Sequence, residues 1–137
     1  MKKAELIIFS LLFFSTNIFA QSNKILSQKG VLDIRNINFD SIVSIKIEGE
    51  YEFFWDKLFT PEDFANQVIM PDAYIIEPGS WKNILIEGKR IPAKGKATLR
   101  IVIFADPSKT PYITILFKEI LTAYKAWFNG ELIAEVG

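Results

Sequence analysis

Three acidic side chains at alternate positions, Glu48, Glu50 and Glu52, are the first residues here whose spacing suggests chemistry. On an extended strand alternate residues share a face and lie roughly 7 Å apart, a separation within the range that glycoside hydrolysis uses for its two carboxyl groups. Distance alone is not enough, because one acid must sit in an apolar pocket that raises its pKa. A row that shares its face with Lys46 reads instead as a hydrated strand surface. Two indoles offer a different chemistry. Trp55 and Trp81 have flat apolar faces that can stack on the C–H surface of a sugar ring while neighbouring polar groups take its hydroxyls. Trp55 falls on the apolar parity of its segment and reads as core, whereas Trp81, just past a turn, is a candidate ligand contact. Lys89, Arg90, Lys94 and Lys96 crowd the stretch from Gly88 to Ala97, a hydrated connection whose Lys89 and Arg90 are candidates for meeting an anionic glycan or lipid head group. Arg100 sits between Leu99 and Ile101 in a strand pattern, where a covered charge must pair with an acid or reach a ligand.

The absent residue types exclude more than the present ones suggest. With no His and no Cys in 137 residues, the chain lacks the atoms for zinc fingers, thiol catalysis, Ser-His-Asp or Cys-His arrangements and disulfide scaffolds. No catalytic residues are expected, and the acids lack a calcium-loop signature, so neither metal nor cofactor is expected. Sixteen basic side chains balance sixteen acidic ones, leaving no net field to attract a polyanion, and nucleic acid is not an expected partner. Length and a 50% hydrophobic composition fit one small globular domain.

Residues 1–20 read as an address. Met1, Lys2 and Lys3 are followed by an apolar run from Leu6 to Phe14, too short to span a bilayer comfortably, and then by a more polar stretch ending in Ala20. Cleavage after Ala20 would start the exported chain at Gln21; retention as an anchor is the alternative. Residues 21–29 read as a linker and 30–137 as the folded domain. Beyond residue 20 the longest uninterrupted apolar run is Ile101 to Ala105, far below the roughly twenty residues of a membrane helix.

The elements that must position the candidate residues are mainly strands. From Val43 to Trp55 apolar and polar residues alternate, with Val43, Ile45, Ile47, Tyr51, Phe53 and Trp55 on one parity. Gly49 falls within that set and predicts a bulge or a close approach by another backbone. A second strand is predicted over Ala97 to Phe104. Thr60-Pro61-Glu62-Asp63 combines an N-cap, a proline at the first helical position and first-turn acids, predicting one short helix. Pro78-Gly79-Ser80, Gly88 to Gly95 and Asp106-Pro107-Ser108 read as loops. Thr110 to Gly130 reads two ways. Its apolar residues recur at helical spacing between Thr110-Pro111 and Gly130, and periodicity alone favours a helix; the competing reading is a strand at Tyr112 to Phe117, a loop, and a hairpin of Tyr124 to Phe128 and Glu131 to Val136 around Asn129-Gly130. In the hairpin, a three-residue loop with Gly130 left-handed would group Tyr124, Ala126, Leu132, Ala134 and Val136 on one face, leaving Trp127 on the other.

The order of motifs Gly49-Glu50-Tyr51-Glu52-Phe53-Phe54-Trp55, Pro78-Gly79-Ser80-Trp81, Gly95-Lys96-Ala97-Thr98-Leu99-Arg100 and Ala123-Tyr124 with Asn129-Gly130-Glu131-Leu132 resembles the extracellular sensor domain of bacterial seven-transmembrane receptors with diverse intracellular signalling modules. The turn and hairpin are also similar to the sugar-binding sandwich of glycoside hydrolase family 2. Two positions depart from the sensor pattern: Leu99 stands where the family carries an aromatic, and Tyr51 where it carries tryptophan. The resemblance implies an all-β, galactose-binding-like jelly-roll sandwich and decides the ambiguous stretch in favour of strands. It also implies a C-terminally truncated fragment, because the family domain continues into further strands, membrane helices and a cyclase or kinase module. A fragment with an open strand edge and part of an apolar face uncovered is expected either to aggregate or to pair with another copy as a homodimer.

Three functional classes follow. The first is a periplasmic or extracellular module that senses a carbohydrate or related small molecule through Trp81, Arg100, Lys89 and Arg90 and biases a tethered membrane receptor. The second is a non-catalytic sugar-binding domain of a secreted glycoside hydrolase. The third is a structural or partner-binding sandwich.

Overall fold

The computed structural model describes residues 25–39, 45–109, 120 and 122–137. The expected signal sequence, Val43 and the expected strand at Tyr112 to Phe117 lie outside the described residues. In chain order the elements are β1 (Leu26–Ser27), β2 (Val31–Asp33), β3 (Glu48–Trp55), α1 (Pro61–Asn66), β4 (Ala73–Glu77), β5 (Leu85–Ile86), β6 (Lys89–Arg90), β7 (Ala97–Arg100), β8 (Val102–Phe104), β9 (Tyr124–Phe128) and β10 (Glu131–Val136), with a single 3-10 turn at Trp81–Asn83. The architecture is β-rich and sandwich-like, with one short helix among the described residues.

Strand β3 is the spine. On one side it pairs antiparallel with β4, Gly49 to Phe53 against Glu77 to Ala73. On the other it meets β1, parallel at Glu48 and Gly49, and then β7, antiparallel from Glu52 to Trp55. Both of its faces are covered. Phe53 and Phe54, neighbours that point to opposite faces as strand geometry requires, are each 0% exposed. Phe53 packs with Tyr51, Trp55, Ile75, Trp81 and Ile91. Phe54 is enclosed by the edges of Phe59 and Phe64, whose rings also meet each other. A second cluster forms around Leu32, Ile34 and Ile37, with Ile101 and Ile103 against it.

The predicted strand over Ala97 to Phe104 is broken at Ile101. Its first half, β7, pairs with β3 and its second half, β8, runs parallel to β2. Gly30 stands at the transfer point: its N–H donates to the Glu50 carbonyl at 3.1 Å and its own carbonyl accepts from Val102 N–H at 2.7 Å. Gly49 meets the close approach expected of it. With φ at +119°, a Cβ there would lie 2.5 Å from the Ser27 carbonyl oxygen, so β1 crosses directly against it.

The helix begins where its signals place it. The Asp63 carboxylate accepts from both the N–H of Thr60, at 2.7 Å, and its hydroxyl, at 3.0 Å. The connection from β3 to β4 is tied down by Asp72, which accepts from Trp55 N–H and pairs with Lys57 at 2.8 Å, and by Thr98, whose hydroxyl accepts from Phe59 N–H and donates to the Lys57 carbonyl.

Several expectations need correction. Residues 21–29 are not merely a linker, because Leu26–Ser27 forms β1 and Ser27 is buried with its hydroxyl donating to the Glu48 carbonyl. The regular strand starts at Glu48; Ile45 and Ile47, expected within it, contribute to the core from outside it. The stretch from Gly88 to Gly95 is not all loop. Lys89 and Arg90 form β6, joined to β5 by a tight turn in which Glu87 and Gly88 have φ of +50° and +76°. The last hairpin turns through two residues, not three. Asn129 and Gly130 both have positive φ, and Glu131 pairs with Phe128. A bulge between Leu132 and Ala134 then shifts the register, so Ala134 and Val136 face Ala126 and Tyr124 as expected while Leu132 pairs with Trp127.

Tyr51 makes the fold sensitive to alkali. Burial, with the Glu77 charge adding to it, pushes its phenol from 10 to about 12, and the hydroxyl donates to the Ile47 carbonyl at 3.2 Å. A raised folded-state pKa means that the contribution is complete below pH 10 and declines as pH rises from 10 towards about 12. Urea melts of the wild type and Tyr51→Phe over that window should show the wild type losing stability more steeply; parallel curves would contradict the assignment.

Candidate functional site

Trp81 lies in the 3-10 turn that follows β4 and the Pro78-Gly79-Ser80 bend. Its ring packs edge-on against Phe53 and Trp55 at centroid distances of 5.5 and 6.2 Å, and its Nε1–H donates to the Glu77 carboxylate at 3.4 Å. One side of this indole is therefore core, as apolar packing dictates. The other side contributes to a groove of about 410 Å³ that runs along β4 from Ala73 to Ile76 and is closed by the bend, Asn83, Ile84 and Leu85. Ser80 and Asn83 bring polar groups to a surface otherwise formed by aliphatic residues, the indole and the outer edge of β4, a mixture suited to a ring with one apolar face and several hydroxyls.

The four candidate ligand contacts do not converge. Lys89 and Arg90 project from the β5–β6 hairpin, fully outside the core; Arg90 stands opposite Leu85, which lines the groove, so this hairpin forms the groove's charged rim. Arg100 belongs to the opposite face of β3. It sits across from Glu52 in the β3–β7 ladder, its Nε and Nη2 donate to the two Glu52 carboxylate oxygens, the second at 3.1 Å, and its guanidinium lies 4.3 Å above the centre of the Phe64 ring. The required pairing with an acid is thus met within the fold. Trp55 is likewise core: the backbone of Gly95 lies against its indole so closely that a Cβ there would overlap the ring.

The acidic row is not a hydrated face throughout. The Glu52 side chain is only 12% exposed because Arg100 covers it. Glu50 accepts from Lys29 N–H at 2.7 Å beside an open concavity of about 540 Å³ formed with Leu26, Gln28 and Ile76. Glu48 remains near Lys46 at 4.0 Å. Phe54 on the same parity was the available signal that this face is covered, since a large apolar residue in an acidic row needs its own cover. Among the described residues no cluster of three or more acids could hold a metal ion, and no helix is long and apolar enough to cross a membrane. Trp127, expected opposite the apolar face of the last hairpin, is 37% exposed.

No known protein family, curated protein or solved structure matches the chain.

The Arg100–Glu52 pair is expected to be structural. Glu52→Gln leaves a partly covered guanidinium without its counter-charge and should cost about 2 kcal/mol in urea unfolding. Arg100→Lys should not rescue the site, because an ammonium cannot grip both oxygens and lie flat on Phe64. Loss of less than about 0.5 kcal/mol in both variants, the usual scale of an exposed substitution, would contradict this role.

Proposed function

We propose that this chain is a non-catalytic ligand-sensing module with a galactose-binding-like jelly-roll sandwich, working outside the cytoplasm and biasing a tethered membrane receptor when a carbohydrate or related hydroxylated small molecule binds. The observation that carries the reading is the groove beside Trp81, where an indole and the aliphatic wall of β4 and β5 stand next to Ser80 and Asn83. The Lys89–Arg90 hairpin at its rim adds cations that favour an acidic or sulfated sugar over a neutral one. Such a module acts on its receptor only by binding one receptor state more tightly than the other. Arg100, tied to Glu52, supports the sheet that carries the groove rather than the ligand.

Calorimetry and intrinsic tryptophan fluorescence with a panel of neutral, uronic-acid and sulfated saccharides test this reading. An acidic saccharide is expected to bind, with Asn83→Ala and Trp81→Phe each weakening it about tenfold, the loss of one good polar or stacking contact. Arg100→Lys should change stability but not the affinity of the folded protein. No binding across the panel, or binding indifferent to both groove variants, would overturn the proposal.

A further inference from the structure

Among the described residues β4 closes the sheet on the side away from β1 and β7. The carbonyls of Glu48 and Glu50 accept from the Ser27 hydroxyl and the Gly30 N–H, so even-numbered residues of β3 turn their backbone groups towards β1 and odd-numbered ones towards β4. The register sets Gly49, Tyr51 and Phe53 opposite Glu77, Ile75 and Ala73. The backbone N–H and C=O groups of Tyr74 and Ile76 therefore point out of the sheet, and no described residue hydrogen-bonds to them. The Ile76 carbonyl is shielded by Gly79, which packs so tightly that a Cβ would overlap it, leaving Tyr74 as the centre of the open edge. The side chains there are apolar and uncovered: Tyr74 is 42% and Ile76 64% exposed.

We propose that a second copy of this chain adds its own β4 antiparallel to this edge, across a two-fold axis close to Tyr74. A two-fold contact is self-complementary by construction. The Tyr74 N–H of each copy donates to the Tyr74 carbonyl of the other, and the two sheets become one. The charges at the groove support a second copy over an unrelated strand. Among the described residues Glu77, at the end of β4, accepts from the N–H groups of Gly79 and Trp81 and has no cation partner, while Lys89 and Arg90, on the hairpin beside the groove, have no acid partner. The same edge thus carries an acid and, on the neighbouring hairpin, two cations, charges of both signs that a second copy can match and an uncharged strand cannot. An exposed, uncharged strand edge is otherwise an aggregation template.

This pairing rests on the edge alone and goes beyond the ligand reading, which it meets at one point: an added strand fills the groove beside Trp81, so a bound saccharide and the second copy exclude each other. Sedimentation velocity across micromolar to millimolar protein tests it. Tyr74→Pro removes an N–H that points outward and leaves the β3 ladder intact; Ile76→Lys places a charge on the edge. Both should weaken dimerisation at least about tenfold with unchanged circular dichroism. Val68→Lys, at a 93% exposed apolar residue in the β3–β4 connection, should leave it unaltered. A monomer at every concentration, or a dimer indifferent to both edge variants, overturns the pairing. An edge-dependent dimer that no groove-binding saccharide dissociates keeps the pairing and counts against the ligand reading. A monomer that binds saccharide does the reverse.

Discussion

Two adjacent phenylalanines on one strand, each removed entirely from water, dictate the rest of this fold. Phe53 and Phe54 point to opposite faces of β3, so the sheet must be covered on both sides at the same place. Each buried ring contributes about 1.5–3 kcal/mol relative to exposure, which is a large share of the marginal stability of a small domain. The chain provides the two covers from different segments. Trp81, Ile84, Ile86 and Ile91, following β4, close over Phe53. Phe59 and Phe64, carried by the capped helix α1 and the residues before it, close over Phe54. The groove exists because the first cover starts at Trp81, just beyond the edge of β4.

The same requirement explains the Arg100–Glu52 pair. Once α1 covers the Phe54 face, Glu52 on that parity is carried into a low-dielectric setting and needs a cation. The ladder sets Arg100 directly opposite, and Phe64 gives its guanidinium a ring to lie on. An acid in an apparently hydrated row thus becomes part of the support for the sheet.

Much of this was legible from residue order. The alternation around Tyr51, Phe53 and Trp55, the close approach at Gly49 and the Thr60–Asp63 cap follow from local rules, and the structure carries each of them; at Tyr124 to Phe128 the helical spacing misled, because a two-residue Asn129-Gly130 turn pairs the segment as a strand. What stayed hidden has physical causes. Strands of two or three residues such as β1, β2, β5 and β6 are too short to show a period. Strand β4, with Ala73-Tyr74-Ile75-Ile76 between Pro71-Asp72 and Pro78-Gly79, carried strand signals but no clean alternation, because Tyr74 and Ile76 are apolar residues on an exposed face. Period two shows which residues share a face; it does not show what lies over that face, which is why Glu52 read as hydrated. The bulge in β10 corrected a register that the two-residue turn alone would have reversed.

Covered on both faces, β3 is the last element to open. Native-state hydrogen exchange read residue by residue tests that most directly. Amides of Tyr51 to Phe54 should exchange only with global unfolding, while those of β9 and β10, which pair only with each other among the described residues, should exchange through cheaper local opening. Amides of β3 that exchange as readily as those of the β9–β10 hairpin would contradict the central role of the doubly covered strand.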